Sequence, residues 1–522
     1  LTTNLITLNG GGLTNSGTIT EKTLNAKINI TGIGGAFNNT GTMAKVNNIT
    51  FTGVGALTNS LLLTASGNVT LAGGSLTNTG TMTVGTVAAG TRNITLIGAG
   101  SLNNNAGTLT ANAVTLASGN LTNKVTLLTN AIDLGGGNLT NSGTIKERTN
   151  SVSHIALVGG GTFTNTGTVS SYNNAVAVSF DTLTLNGANL VSPTKTFNVT
   201  TLNLMGAGTN LTISQLGMNV GTLNLSNGNA IMTQGKLTVT GDFNFDAGAA
   251  SQYFQLGNPA AAIANLEVKG TIVHDDISHF FVTKGNNKIW VKPGTVGSPV
   301  SFFLNDSSNL STVSQIDIND TTSAASKPVG LNTFTPLTRN GKPVSSGGIP
   351  VTDPTSSVAR AWNITRSTGE FSALTVKFHW SASEQGPNLN VGDPARLWNW
   401  NPAVSTWSVT QPEAGAGFAG NTYETSILRY SGSYSVSNFD PSLAMNDNSS
   451  LGAQLEELKE KFFDAIFATK EERAAQPQIA EAQERTAMET MLSQMANRGN
   501  LMERNQLFKS EVDLGLEALL LA

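Results

Sequence analysis

The stretch VTLAGGSLTNTGTM, Val69 to Met82, decides how this chain folds. It holds no acid, base, histidine or cysteine, yet close copies recur through the first third of the chain. Its first half returns as ITLNGGG from Ile6, ITFTGVG from Ile49, ITLIGAG from Ile94, VTLASGN from Val114, IALVGGG from Ile155, LTLNGAN from Leu183 and LNLMGAG from Leu202. Its second half returns as LTNSGTI at Leu13, FNNTGTM at Phe37, LTNSLLL at Leu57, LTNKVTL at Leu121, LTNSGTI at Leu139 and FTNTGTV at Phe163, with a degenerate LNNNAGTL at Leu102.

In each first half two large apolar residues flank a small polar or short one, as Val69 and Leu71 flank Thr70, which is the period-two pattern of a strand with one buried face. The glycines then turn the chain. A unit of roughly twenty residues with two or three short strands cannot bury its own apolar face, but stacked copies can. Residues 1–250 are therefore expected to form a parallel β-solenoid; eleven or twelve coils at ~4.8 Å each would make a rod about 50 to 60 Å long. The third motif position, as in Asn59, Asn78, Asn123 and Asn141, suits a turn where Asn tolerates left-handed dihedrals and ladders between coils. The remaining Thr and Asn side chains either solvate strands and turns or offer a face to sugars, ice or another surface.

The bulk composition agrees with a β-rich chain. Of 522 residues, 12% are charged, and the net charge of -4 gives no clustered Lys and Arg for nucleic acid. No cysteine occurs, which excludes disulfides, thiolate metal sites and a Cys nucleophile. No run of about 18 apolar residues marks a transmembrane segment, and in a secreted protein Leu1 would begin a trimmed chain.

After about Ala250 the texture changes. HDDISHFFVTKGNNKIWVKPGTVGSPVSFFL, His274 to Leu304, alternates like strands joined by Gly and Pro turns, so residues 251–320 are expected to be a β-rich cap or transition region. The Ser-, Thr-, Pro- and Gly-rich residues 321–355 read as a linker or long loop. Residues 356–445 read as an antiparallel β-sandwich, with Leu374, Val376 and Phe378 on one face of a strand and Thr375, Lys377 and His379 on the other. Trp362, Trp380, Trp398 and Trp407 are expected in its core.

FFVTKGNNKIWVKPGTVGSPVSFFL, followed by AWNITRS, LTVKFHWSASE, ARLWNWNPAVSTWSV and YSGSYSVSNF, resembles the downstream module of large secreted surface proteins of Bacteroidetes and related bacteria. In that group a haemagglutinin-like β-solenoid precedes such a sandwich. The resemblance implies an extracellular location at the bacterial cell surface, often reached by the type nine secretion route. It covers residues 1 to about 440; the C-terminal sandwich sorting domain of that route is replaced here by a helical pattern.

That pattern, residues 446–522, is rich in Ala, Glu, Lys, Gln and Leu. Leu451, Leu455, Leu458, Phe462 and Ala465 form a four-three apolar seam on a predicted helix. Pro477 interrupts it, a second helix runs to Gly499 and a third to about Leu521. The seam residues Leu455, Leu458 and Phe462 and the apolar terminal residues Leu516, Leu519 and Leu520 are the expected assembly contacts, in cis or with other copies of the chain.

No catalytic set is legible. The solenoid's acids, Glu21, Asp133, Glu147, Asp181, Asp242 and Asp246, fall at different places in the repeat, and none of the four histidines sits in a nucleophile-elbow context. The densest titratable cluster, His274, Asp275, Asp276 and His279, is either a polar turn or a set of metal ligands. Structural calcium is the one ion considered, with Asp317 to Asp320 and Asp393 as loop oxygens; no cofactor is expected. The expected function is an extracellular structural protein that self-assembles into a layer, sheath or filament or acts as an adhesin, with cell-surface glycans as further partners. A carbohydrate-active enzyme or glycan-binding module on the same scaffold is the alternative.

Overall fold

The computed structural model describes residues 1–437 apart from short segments such as 86–91, 173–179, 321–327 and 367–373; residues 438–522, with all six tail residues Leu455, Leu458, Phe462, Leu516, Leu519 and Leu520, lie outside the described residues. The chain is mainly β, and its core is a parallel solenoid of about 13 turns.

One coil shows how the motif works. Val69–Leu71, Leu76–Asn78 and Thr81–Val84 are three short strands in three parallel ladders, the first and third in one sheet and the second in the other. Each pairs in parallel with the equivalent strand of the next coil: Val69 with Ile94, Leu76 with Leu102, Met82 with Leu109. Val69, Leu71, Leu76, Met82 and Val84 are fully buried, while Thr70, Thr77 and Thr83 between them reach solvent. Burying one such aliphatic side chain is worth about 1.5–3 kcal/mol, so each coil is held by its neighbours.

Gly74 marks the corner between the first two strands. A Cβ built there would lie 1.3 Å from the carbonyl oxygen of Gly55 in the preceding coil, and one on Gly100 would lie 1.8 Å from the oxygen of Gly74. Only glycine lets the coils close to hydrogen-bonding distance at this corner. Gly74→Ala is expected to destabilise by about 3 kcal/mol, because a backbone oxygen cannot move aside. Gly11→Ala, where nothing lies within 4 Å, should be close to neutral; denaturation midpoints of the two variants check the contrast.

The asparagines are placed differently from the turn expectation. Asn59, Asn78, Asn104, Asn123 and Asn141 end strands and are fully buried. Among the described non-glycine residues positive φ occurs at Asn227, not at these positions. Extended backbone aims each amide inward, where it donates to the Oδ1 of the next coil. The ladder runs from Asn15 through Asn39, Asn59, Asn78, Asn104, Asn123 and Asn141 to Asn165, every step 2.8 or 2.9 Å. It ends on Ser192 Oγ at 3.3 Å. The laddering expectation therefore holds, and the left-handed one does not.

Parallel stacking also passes residue 250, the expected end of the solenoid. Phe243 pairs with Ile272, Leu266 with Ile289, and Phe281 with Leu304, all in parallel. What changes here is the filling: Phe243 packs against Phe254 and Phe281 with ring centroids 5.5 and 5.1 Å apart. Aromatic rings replace Leu and Ile while the hydrogen-bond register persists, so the motif fades before the coil does.

Pairing then turns antiparallel on both sheets. Lys288–Val291 accepts Val329–Phe334, which lies within the segment expected as linker yet is buried at all six positions. Beyond it come Ala361–Arg366, Gly432–Ser437, Arg396–Asn401 and Thr406–Gln411. On the other sheet Val300–Asn305 is followed by Ser314–Asp320, Leu374–His379 and Thr422–Leu428. Leu374, Val376 and Phe378 are buried, with Thr375, Lys377 and His379 on the outer side. Trp362 packs on Phe378 and Trp380 at 4.9 and 6.2 Å. Trp398 and Trp407 instead join Phe334, Leu337 and Val351 in a separate cluster, so the four tryptophans do not share one core.

Candidate functional site

His274 and Asp275 lie outside the described residues; Asp276 and His279 are described. His279 begins a buried strand, His279–Thr283, and Asp276 closes the turn before it. Asp276 Oδ1 accepts the backbone N–H groups of Ser278 at 2.7 Å and His279 at 3.0 Å, and faces His279 Nδ1 at 3.0 Å. The other ring nitrogen, Nε2, lies 3.1 Å from the carbonyl oxygen of Asp246. Burial pushes the Asp276 carboxyl up, but the hydrogen bonds from His279 and Ser278 outweigh it and hold it below its ordinary value. Both imidazole nitrogens are engaged, so a metal ion would have to break a bond to gain a ligand. This half of the cluster is a capped turn.

The second oxygen cluster considered for calcium is divided by the pleat. Asp317 points outward and Asp320 inward along Ser314–Asp320, and Asp393 lies outside the described residues. Among the described residues no three His, Asp or Glu side chains converge as a metal-holding group.

Asp317 instead sits among partners from three strands. His379 Nε2 lies 2.7 Å from one carboxylate oxygen; Ser301 Oγ and Gln315 Nε2 donate to the other at 2.7 and 2.6 Å. Burial raises the carboxyl, and the three hydrogen bonds outweigh it, leaving the pKa lowered from 3.8. A depressed carboxylate stabilises the fold above its unfolded pKa, and that contribution is lost as pH falls through the folded value. Acid unfolding of the Asp317→Asn variant should therefore be less steep below about pH 4, a comparison that far-UV circular dichroism resolves.

His154 runs the other way. Its Nε2 lies 2.9 Å from Asp133 of the preceding coil, and that hydrogen bond raises its pKa from 6.5 against the opposing effect of burial. The stability it contributes is complete below the unfolded pKa and lost as pH rises through the folded one. Both side chains are 41% exposed, so solvent screens the pair. An NMR titration should place the His154 midpoint above 6.5, and Asp133→Asn should bring it down.

Two polar clusters escaped the sequence reading. Glu147 and Asp181, 34 positions apart in the repeats, meet at the fully buried Ser153. Ser153 Oγ donates to Glu147 Oε1, and its N–H donates to Asp181 Oδ2 at 2.7 Å; Tyr172 N–H donates to Glu147 Oε2 at 2.8 Å. Beside them Arg148, 6% exposed, donates to the carbonyl oxygens of Val84 and Gly85 at 3.3 and 2.8 Å. Burial lowers its pKa below the ordinary guanidinium value. The carboxylates are occupied by loop hydrogen bonds, which makes the cluster a latch between coils. Lys288 is a further perturbed cation: burial brings its pKa to about 8, and its Nζ donates to Thr365 Oγ1 at 2.5 Å.

The second cluster lies where parallel pairing gives way to antiparallel. Arg360, fully buried, donates to Glu384 Oε1 through Nε at 2.7 Å and Nη2 at 2.5 Å. It also donates to Thr333 Oγ1 at 3.0 Å, Asn305 Oδ1 at 3.4 Å and the Thr312 carbonyl. One guanidinium thus ties strands of both sheets. In sequence it is an Arg between two alanines, with no local mark of its partner.

Among the described residues no helix is long and apolar enough to cross a membrane, which says nothing about strands. The resemblance to Bacteroidetes surface proteins rests on the residues quoted for it; the molecule itself establishes the β-solenoid. Compared with protein-family models, curated proteins and solved structures, the chain matches none.

Proposed function

We propose that this chain is an extracellular structural protein of the bacterial cell surface, a subunit that self-assembles into a layer, sheath or filament or serves as an adhesin. The observation that carries this reading is the rod itself. Its cohesive groups, the Leu/Ile stack and the Asn ladder, face inward, and its outer rows repeat uncharged Thr and Asn over many coils. Such a surface is suited to repeated, identical contacts. The antiparallel strands after the solenoid serve as a sandwich module that ends the rod, and the segment after Asn446, for which the sequence predicts helices, serves as connector through Leu455, Leu458, Phe462, Leu516, Leu519 and Leu520. Cell-surface glycans are the additional partner, and calcium is the ion to be tried in assembly buffers.

Electron microscopy of the purified chain beside a variant truncated after Asn446 tests this. Ordered polymers from the full chain, absent from the truncated one, are expected. Particles that stay single at every concentration would overturn the assembly reading and leave the adhesin. Depolymerase activity that disappears in the Glu147→Gln variant would replace it with the enzyme alternative.

A further inference from the structure

One corner of the rod, between the first and second strands of each coil, stays free of charged residues through residues 226–229; its first eight segments are residues 9–12, 33–36, 52–56, 72–75, 97–101, 117–120, 135–138 and 158–162. Four of these segments hold an aliphatic side chain out in water. Ile33 is 71% exposed, Val54 81%, Ile97 55% and Val158 45%. Charge-free surface carrying exposed aliphatic groups is the composition of an interface core rather than of a solvated turn. The other four segments present Gly, Ala, Ser or Asn, as at Gly11, Gly73, Ala117 and Gly136. Adjacent segments stack directly: a Cβ on Gly73 would lie 3.5 Å from Val54 Cγ2, and one on Gly98 would lie 2.6 Å from the Ala72 carbonyl oxygen.

Over these eight segments the corner therefore reads small, large, large, small, large, small, small, large. Read backwards, that order is its own complement: every large position falls on a small one. We propose that this corner is a lateral contact between two copies of the chain, packed antiparallel about a two-fold axis between the fourth and fifth coils. Ile97 then sits against Gly73 of the second copy, Val54 against Ala117, Ile33 against the Gly135–Gly136 turn, and Val158 against the Gly10–Gly11 turn. The contact is isologous, so one surface serves both partners. Seven coil steps make a ridge about 34 Å long. This inference rests on the self-assembly reading and names its surface.

The absence of cysteine makes a clean test possible. Full-length Val54→Cys and Ala117→Cys variants, each close to the other across the axis, are mixed and oxidised. Like positions are offset by three coils, about 14 Å, which exceeds the Cα separation a disulfide can bridge. Disulfide-linked dimer should form in the mixture at least roughly tenfold more than in either variant alone, and Ile97→Asp should weaken association by roughly tenfold in sedimentation experiments. Equal cross-linking within each single variant, no cross-linking in the mixture, or unchanged association of Ile97→Asp would overturn the contact. Polymers that form without the cross-link remove the corner and leave the assembly reading standing. Cross-linked pairs that never extend into polymers remove the assembly reading and leave the corner standing.

Discussion

Replacing Arg360 by leucine is expected to destabilise the chain by about 3–5 kcal/mol, the usual cost of leaving one member of a buried ion pair alone. Glu384, with a side chain 5% exposed, would keep only its hydrogen bonds from Ser381, and the oxygens of Thr333, Asn305 and Thr312 would lose a charged donor. The double variant Arg360→Leu, Glu384→Leu is expected to recover most of the loss, because two apolar groups carry no desolvation penalty. Denaturation followed by tryptophan fluorescence reads both, since Trp362, two positions from Arg360, is fully buried. A double variant as weak as the single one would show that the cost lies in lost packing rather than in the stranded charge.

Asn104→Leu is the second large effect, at about 3 kcal/mol. Asn104 accepts from Asn78 at 2.9 Å and donates to Asn123 Oδ1 and the Thr126 carbonyl at 2.8 Å each. Each buried bond removed costs about 1 kcal/mol when its partner is left dry. Coils contact only their neighbours, so the damage should be local. Hydrogen exchange is expected to quicken in the coils around Asn78 and Asn123 while the coils beyond Leu183 keep their protection. Uniform exchange along the whole solenoid would mean that the ladder acts globally.

The solenoid was legible because its instructions are local and repeated. A strand's alternation shows which side chains go inward, and a glycine corner shows where the chain turns, as Val69, Leu71 and Gly74 do within six residues. The repeat period implied stacking, and the register followed: Val69 on Ile94, Leu76 on Leu102. The candidate sites were less legible. His279 and Asp276 stood out as neighbours in sequence, but what His279 faces on its far side, the carbonyl of Asp246, lies 33 positions away. Glu147 and Asp181 looked unrelated because their shared partner, Ser153, belongs to a loop and not to the repeat.

By itself the sequence determined the parallel coil, its inward and outward faces and the laddering of its asparagines, since each follows from alternation within a few residues multiplied by identical stacking. Only the tertiary structure decided that those asparagines lie in the core rather than in a left-handed turn. It also decided that the coil runs past residue 250, that the tryptophans divide between two clusters, and that Arg360 meets Glu384. These are matters of register between strands up to tens of residues apart, and a hydrogen-bond partner at that distance leaves no trace in the local pattern of either strand.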